Sequence, residues 1–560
     1  MAEGTRHGGR RHKRRRGQRG DEGGSVLRRF PFSGLSKSLI PYQGDGLVWV
    51  CAAATSVVLL LYLLLLGVIT TRGLSALWVK PVVAVSLIDG RSVLGHIEGK
   101  TGGDGRWRIF RGNREVYGHE FSWIDPEAVT AVTFPEEVTV FERVEYGRAV
   151  GYLRGMMLSG SGEVVRLDLE QFAARHQRLL TEEAEALRLL GLKMAKINLR
   201  LEDLRLKRLK AMGRGRDTLA SNQEEEERMR QTYLELDRKH VQLLSEMRQK
   251  TAVIETMEGT RLEVPMSDIL RFYQPNQMNV FEKMGFYLVR FWALISENPR
   301  ESNTEGGLFP VIFGTLLLVL LMSVFCVPFG VVAAIYLHEY AGEGWVLNTV
   351  RLAVHNLASI PGIVYGIFGL GFFVYGLGGW IDRAFFPERL PIPTFGTGGV
   401  LWAGLTMALL TLPVVIVSTE EGLRSVPRFV KDGSLALGAT KLQTLRRVTL
   451  PMAMPGIMTG FILAITRAAG EVAPIMIVGV VKMAPMLPID DVFPFFHFER
   501  KFMHLGFHIY DAAFQSPNVE AALPLAYVTT TLLLLLVLSM SLVAMYFRAK
   551  LRERFTEYVF

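Results

Sequence analysis

Cysteine is almost absent from this sequence: there are 2 in 560 residues, Cys51 and Cys326, and both fall inside long apolar runs. The polar stretch from Arg72 to Gly307 has none, so neither a disulfide framework nor a thiolate metal cluster can hold it together. A nucleotide-binding loop is missing as well. Gly433 to Thr440 carries the two glycines and final threonine of a phosphate loop, but Ala439 stands where the lysine would be, and no parallel-sheet pattern surrounds it. ATP and magnesium therefore have no expected site on this chain, and no cofactor or metal site is expected. Aromatic residues are lacking from the densest basic run, Arg10-Arg11-His12-Lys13-Arg14-Arg15-Arg16, which leaves it without stacking platforms for single-stranded nucleic acid. The formal charge of +9 consequently does not argue for a nucleic-acid partner, since Arg and Lys gather at the ends of apolar runs and near the start of the chain.

What the sequence has in abundance is apolar length. With 49% apolar residues, it offers the runs Leu47 to Ile69, Leu308 to Tyr336, Leu352 to Leu377, Val400 to Val417, Met454 to Val481 and Leu523 to Phe547. Each is long enough to cross a hydrocarbon core of about 30 Å at about 1.5 Å per residue. The first run is too long for a cleavable signal peptide and lacks a small-residue cleavage site close behind it. An even number of spans places both ends on one side of the bilayer. The Arg-rich residues 1–46, expected to be disordered, the loop with Arg424, Arg428, Lys431, Lys441, Arg446 and Arg447, and the basic residues 548–560 then face the cytoplasm.

Residues 72–307 then face outward. Val82 to Glu98 alternates around Asp89-Gly90 and predicts a β-hairpin; Arg106 to Val144 and Ile254 to Tyr273 read as further strands. Between them, Leu187, Leu190, Met194, Ile197, Leu201 and Leu204 recur at helical spacing, and Met229, Tyr233, Leu236, His240, Leu243 and Met247 repeat it after Gly213-Arg214-Gly215. The spacing predicts two antiparallel helices over about 167–252. The fold class expected is an α-helical polytopic membrane protein: a first transmembrane helix over 47–71, a large periplasmic β-rich domain interrupted by a coiled-coil hairpin, and a membrane core over 308–547.

The stretch from Thr419 to Pro474 is the most specific. Asp432-Gly433-Ser434, Gly438, Ala439 and then Leu450-Pro451 fall in a polar, basic loop over 419–453 between two spans. Val430 to Leu437 can form a short helix that Gly438 ends in the left-handed conformation, and Thr440 with Gln443 can start another through a capping box. This spacing resembles the coupling motif in permease subunits of bacterial binding-protein-dependent ABC importers, with Asp432-Gly433-Ser434 in place of the usual Glu-Ala-Ala. Glycine at the second position is a weak helix former.

Within the fifth run, Arg467 and Glu471 stand one helical turn apart, where an intramembrane charge costs about 2.5 to 3.5 kcal/mol and must face a cavity or a partner. A guanidinium fork suits a tetrahedral oxyanion, and a nearby carboxylate can hold that fork while it is empty. An interhelical salt bridge without substrate contact explains the pair equally well. Together with Pro361-Gly362-Ile363-Val364-Tyr365-Gly366 and Phe502 to Tyr510, these residues are similar to the MetI-like permeases of phosphate importers, from Leu308 to the C-terminus. Many relatives place an arginine near the end of the fourth span, where this chain has Val414-Val415-Ile416-Val417. The resemblance implies a non-enzymatic subunit of the bacterial inner membrane. Its implied partners are a sister permease, a dimer of ATPase subunits that carry the ATP and magnesium, and a periplasmic phosphate-binding protein. Its implied substrate path includes Arg467, Glu471, Pro361 and Tyr365. A permease for sulfate, molybdate or phosphonate, a secondary transporter, and a membrane-anchored periplasmic sensor or adhesion protein are the other readings.

Overall fold

The computed structural model describes residues 46–100, 105–158, 164–213, 219–490 and 493–556. The basic run around Arg10 to Arg16 and Arg214-Gly215 at the expected hairpin turn lie outside them. The chain forms two units, residues 1–66 and 67–560. Within the first, the helix that starts at Gly46 exposes Val58, Leu60 and Leu64 alike, a surface suited to lipid rather than water.

Among the described residues six helices are long and apolar enough to cross a membrane: Val48–Ala76, Phe309–Tyr340, Gly362–Phe385, Val400–Arg424, Lys441–Gly470 and Val519–Glu553. The expected third and fifth spans differ from these. Trp345–Leu357 is a separate helix, and the third span starts only at Gly362, because Pro361 has no N–H to donate and its backbone is extended (ψ 137). The fifth helix stops at Gly470. Continuing it would drive the ring of Pro474 into the carbonyl of Gly470, so the chain extends at Glu471 and resumes as the short helix Ala473–Val478.

The fourth span is the central one. It packs against the second and fifth, burying Met407, Leu410 and Val415 with Leu318, Met322, Ala464 and Ala468. Its buried Thr411 hydroxyl donates back to Met407 O at 2.9 Å, which satisfies that hydroxyl within the helix. Where the fourth and fifth spans cross, a Cβ on Gly456 would lie 2.5 Å from Gly422 Cα; only glycine permits that approach.

The polar stretch is β-rich. Strands β1 (Val83–Leu87), β2 (Ser92–Lys100), β3 (Trp107–Phe110), β4 (Phe121–Ile124) and β5 (Val129–Thr133) form an antiparallel sheet in the order β4-β3-β2-β1-β5. A second sheet runs β10-β9-β7-β6-β11, with β8 beside β7. Its strands are β6 (Thr139–Arg143), β7 (Arg148–Leu158), β8 (Val164–Val165), β9 (Lys250–Glu255), β10 (Arg261–Pro265) and β11 (Ile269–Tyr273). The turns at Gly90 and Gly259 take φ of +81° and +80°, which is why glycine follows Asp89 and Glu258. Helices Ala184–Gly213 and Leu219–Arg248 are inserted between β8 and β9 and pair through Arg200–Glu225 at 3.1 Å and Arg208–Glu226 at 3.6 Å. Lys210 near one end reaches Glu388, beyond the third span, at 2.8 Å.

Two buried groups make this part acid-sensitive. Burial, and then the Arg148 charge, push His96 down to about 3, while its Nδ1 lies 3.0 Å from Pro81 O. Burial raises Glu142, but Arg290 and then Arg271 outweigh it and bring the carboxyl to about 2. Below about pH 6.5 the unfolded chain takes up a proton at His96 that the fold refuses, so stability falls by about 1.4 kcal/mol per unit from this group. Glu142 adds a loss in the same direction as the pH falls through the acid range toward about 2. The thermal midpoint of the β-rich part should therefore drop between pH 7 and 5, and His96→Asn, which can still donate to Pro81 O, should show a smaller drop. An equal drop in both proteins would remove His96 as the cause.

Candidate functional site

The polar loop after the fourth span is built from local rules. Helix Arg428–Ala436 runs through Asp432, Gly433 and Ser434. It ends where Gly438, at φ +85°, donates to Leu435 O at 3.0 Å and Ala439 donates to Ser434 O at 3.3 Å, the double closure of a Schellman turn. Thr440 then caps Lys441–Thr444 with Gln443, each side chain accepting from the other's backbone N–H. The hydroxyls of Ser434 and Thr444 meet at 2.9 Å and lock the two helices at their angle. The helix continues through a wider turn at Leu445–Thr449 into Leu450–Gly470, with Pro451 directly after the wide turn. Phe429, Leu435, Leu437 and Leu442 are exposed on this loop, Leu437 at 91%. Together they form an exposed apolar cluster on a basic loop.

Ion pairs that the sequence did not announce pin the loop down. Lys431 reaches Glu339, at the end of the second span, at 2.5 Å. The buried Glu420 receives Arg351 at 2.6 Å and Arg424 at 3.1 Å. Arg424 follows Glu420 by four residues and was readable as a helical pair; the partners from Arg351 and Glu339 come from distant segments and gave no local signal.

At the other end of the Leu450–Gly470 helix, Arg467 occupies the last turn rather than mid-span, and Glu471 lies just beyond the helix end. The pair survives the break: Arg467 Nε is 3.5 Å from Glu471 Oε1, both side chains partly accessible. A Cβ on Gly362 would lie 3.2 Å from Glu471 Oε2, and one on Gly366 2.9 Å from Pro474 Cα. The start of the third span thus packs directly on the break after the fifth, which brings Pro361 to within one residue of the ion pair. Tyr365 is buried there and donates to Leu357 O at 2.7 Å, so its hydroxyl is committed to the backbone. Of Pro361, Tyr365, Arg467 and Glu471, Arg467 carries guanidinium N–H groups beyond the one facing Glu471.

The Phe502 to Tyr510 segment holds a second polar cluster. His504 and His508 are buried, and neither Nε2 has a protein partner. Asp511 is buried against Lys482 at 3.2 Å and Asn303 at 3.1 Å. Among the described residues no group of His, Cys, Asp and Glu has metal-site geometry.

Residues 326–553 match the family model of the binding-protein-dependent transport system inner membrane component. A probable ABC transporter permease protein of Bacillus subtilis, YqgH, is 31% identical over 37% of this chain and 63% of its own length. The phosphate transport system permease protein PstA 1 of Mycobacterium tuberculosis is 35% identical over 33% of this chain and 56% of its own. The corresponding PstA protein of Yersinia pestis is 36% identical over 33% and 57%. The chain thus spans less than two thirds of each of these relatives. It is also similar to the MetNI methionine ABC transporter in its inward-facing form, at 17% identity and a TM-score of 0.30, over 47% of this chain and 98% of that one.

The Schellman turn gives a direct test of the loop's construction. A left-handed residue other than glycine costs about 1 to 2 kcal/mol, so Gly438→Val should speed amide exchange at Gly438 to Ala439 by roughly 5- to 30-fold in hydrogen-exchange mass spectrometry. Gly438→Ala should do so less. Unchanged exchange in Gly438→Val would mean that the turn does not depend on φ at this residue.

Proposed function

We propose, from the match of residues 326–553 to the family model of the binding-protein-dependent transport system inner membrane component, that this chain is the permease subunit of an ATP-driven importer of inorganic phosphate. The observation that carries the reading is one helix. Leu450–Gly470 starts from the locked loop with its exposed apolar cluster and ends at Arg467, some 25 Å away at about 1.5 Å per residue. A movement imposed on the loop is therefore delivered to the ion pair at the far end. The phosphate assignment is supported by the Mycobacterium tuberculosis and Yersinia pestis relatives, both phosphate transport system permease proteins.

In this reading the loop lies in the cytoplasm and seats in a groove of an ATPase subunit, one of a pair carrying ATP and magnesium. Phe429, Leu435, Leu437 and Leu442 supply the contact, and Lys431–Glu339 with Glu420 transmit it to the second and fourth spans. The chain hydrolyses no ATP itself. Together with a sister permease it forms the path across a bacterial inner membrane, with both termini cytoplasmic and the β-rich part periplasmic, where a phosphate-binding protein delivers the anion. Arg467 receives phosphate through its guanidinium fork, and Glu471 holds that fork between cycles. Because Glu471 lies past the helix end, on extended backbone, it can release the arginine without unwinding the span.

Reporters fused after Arg200 should report an external location and those after Lys441 a cytoplasmic one; an external Lys441 reporter would overturn this arrangement. The substrate role is tested by the ion pair. Arg467→Lys keeps the charge but loses the fork, and should cut ATP-driven phosphate uptake by about tenfold or more at unchanged amounts of assembled complex. Exchanging the pair, Arg467→Glu with Glu471→Arg, should abolish uptake. Near-normal uptake by the exchanged protein would mean that the pair is only a structural bridge.

A further inference from the structure

The helix Val280–Ser296 is the connection between the β-rich part and the second span, and none of the function described above uses it. It begins at a full capping box, with Asn279 and Glu282 each accepting from the other's backbone N–H. It carries an apolar stripe of Phe281, Met284, Leu288 and Trp292, spaced at three and four residues, with Val280 and Val289 beside it. All are exposed, Phe281 at 89% and Trp292 at 69%. Glu282 is the one acidic residue near this face, and its carboxylate is folded back into the cap.

The rotation of this helix is fixed from its other side. Arg290 binds Glu142 on β6 through Nε at 3.1 Å and also through Nη2, and it donates to the Tyr273 hydroxyl on β11 at 2.8 Å. The rings of Phe286 and Tyr273 lie 4.6 Å apart. The apolar stripe therefore cannot turn inward without breaking a buried ion pair, which costs about 3 to 5 kcal/mol.

Its depth is fixed as well. Leu294 O accepts from Leu308 N at 2.6 Å, and Leu294 packs with Leu308 and Val311 at the start of the second span, Val528 of the sixth, and Ala76 and Leu77 at the end of the first. Tyr287 lies 6.0 Å, ring to ring, from Trp78. The C-terminal half of the helix is thus level with one end of three membrane spans, where the hydrocarbon region meets the headgroups.

An amphipathic helix held at that level, with an uncharged stripe bearing phenylalanine and tryptophan and with Lys283 and Arg290 off the stripe, has the make-up of a helix lying in a membrane interface. We propose that Val280–Ser296 is an interfacial helix whose Phe281, Met284, Leu288 and Trp292 insert into the adjoining lipid leaflet, so that the β-rich part is held against the bilayer through Arg290 and Glu142. The exposed end of the first span beside it, with Val68 and Leu74 also open, continues the same apolar surface. This goes beyond the transport reading and does not depend on which solute crosses.

The test uses the full chain in its complex in lipid nanodiscs, with an environment-sensitive fluorophore on Leu288→Cys or Phe281→Cys in a Cys51→Ser background; Cys326 is buried. Ile88, 74% exposed on the β1–β2 turn, serves as Ile88→Cys for the aqueous control. Lipids with a nitroxide near the headgroup should quench the probes at 288 and 281 and leave the one at 88 bright, while aqueous iodide should do the reverse. On the unaltered chain, hydroxyl-radical footprinting should spare Met284 and Trp292 while modifying Trp123. Iodide quenching at 288 and 281 comparable to that at 88 would overturn the proposal in favour of a water-exposed face. Protection from both quenchers would overturn it in favour of a protein partner.

Discussion

The structure depends on a constraint that the bilayer imposes: a spanning backbone can break only where protein replaces the lost hydrogen bonds. Both breaks here, at Pro361 and at Glu471 to Pro474, are placed against each other. The glycines at 362 and 366 let the third span close on the second break, so extended backbone is covered by protein rather than lipid. This mutual cover leaves the Arg467–Glu471 pair at a helix end, beside irregular backbone. It also leaves the rest of the fifth helix, Leu450–Gly470, continuous back toward the polar loop.

Much of the loop was legible in the sequence because its determinants are local. Gly438 had to be left-handed for the chain to leave one short helix and start another, and Thr440 with Gln443 spells a capping box within four residues; both geometries are present. The Asp89-Gly90 and Glu258-Gly259 turns were readable for the same reason. Gly433 does not break its helix despite its weak propensity, because Ser434 is tied to Thr444 across the turn.

The ends of the third and fifth spans were not legible from hydropathy, which counts apolar residues and ignores the missing N–H of proline. Trp345–Leu357 and Ala473–Val478 are apolar enough to merge into neighbouring spans, yet both are separate helices. Nor could the sequence reveal Lys431–Glu339, Arg351–Glu420 or Arg290–Glu142, since each joins segments far apart in the chain. These pairs decide what is rigid: the first binds the loop to the second span, the second binds the helix Trp345–Leu357 to the end of the fourth, and the third fixes how the β-rich part meets the membrane core. The resemblance to importer permeases lay in contiguous motifs of the loop and spans, and the family match over residues 326–553 agrees with it at that level.

The central claim is that this chain passes phosphate under the control of an ATPase bound to its loop. Uptake of radiolabelled phosphate by proteoliposomes containing the copurified complex, with its binding protein supplied on the entry side, tests that claim most directly. The account predicts accumulation only when ATP is present on the side of the loop, undiminished by excess sulfate or molybdate. Uptake without ATP, or accumulation of sulfate or molybdate in place of phosphate, would contradict it.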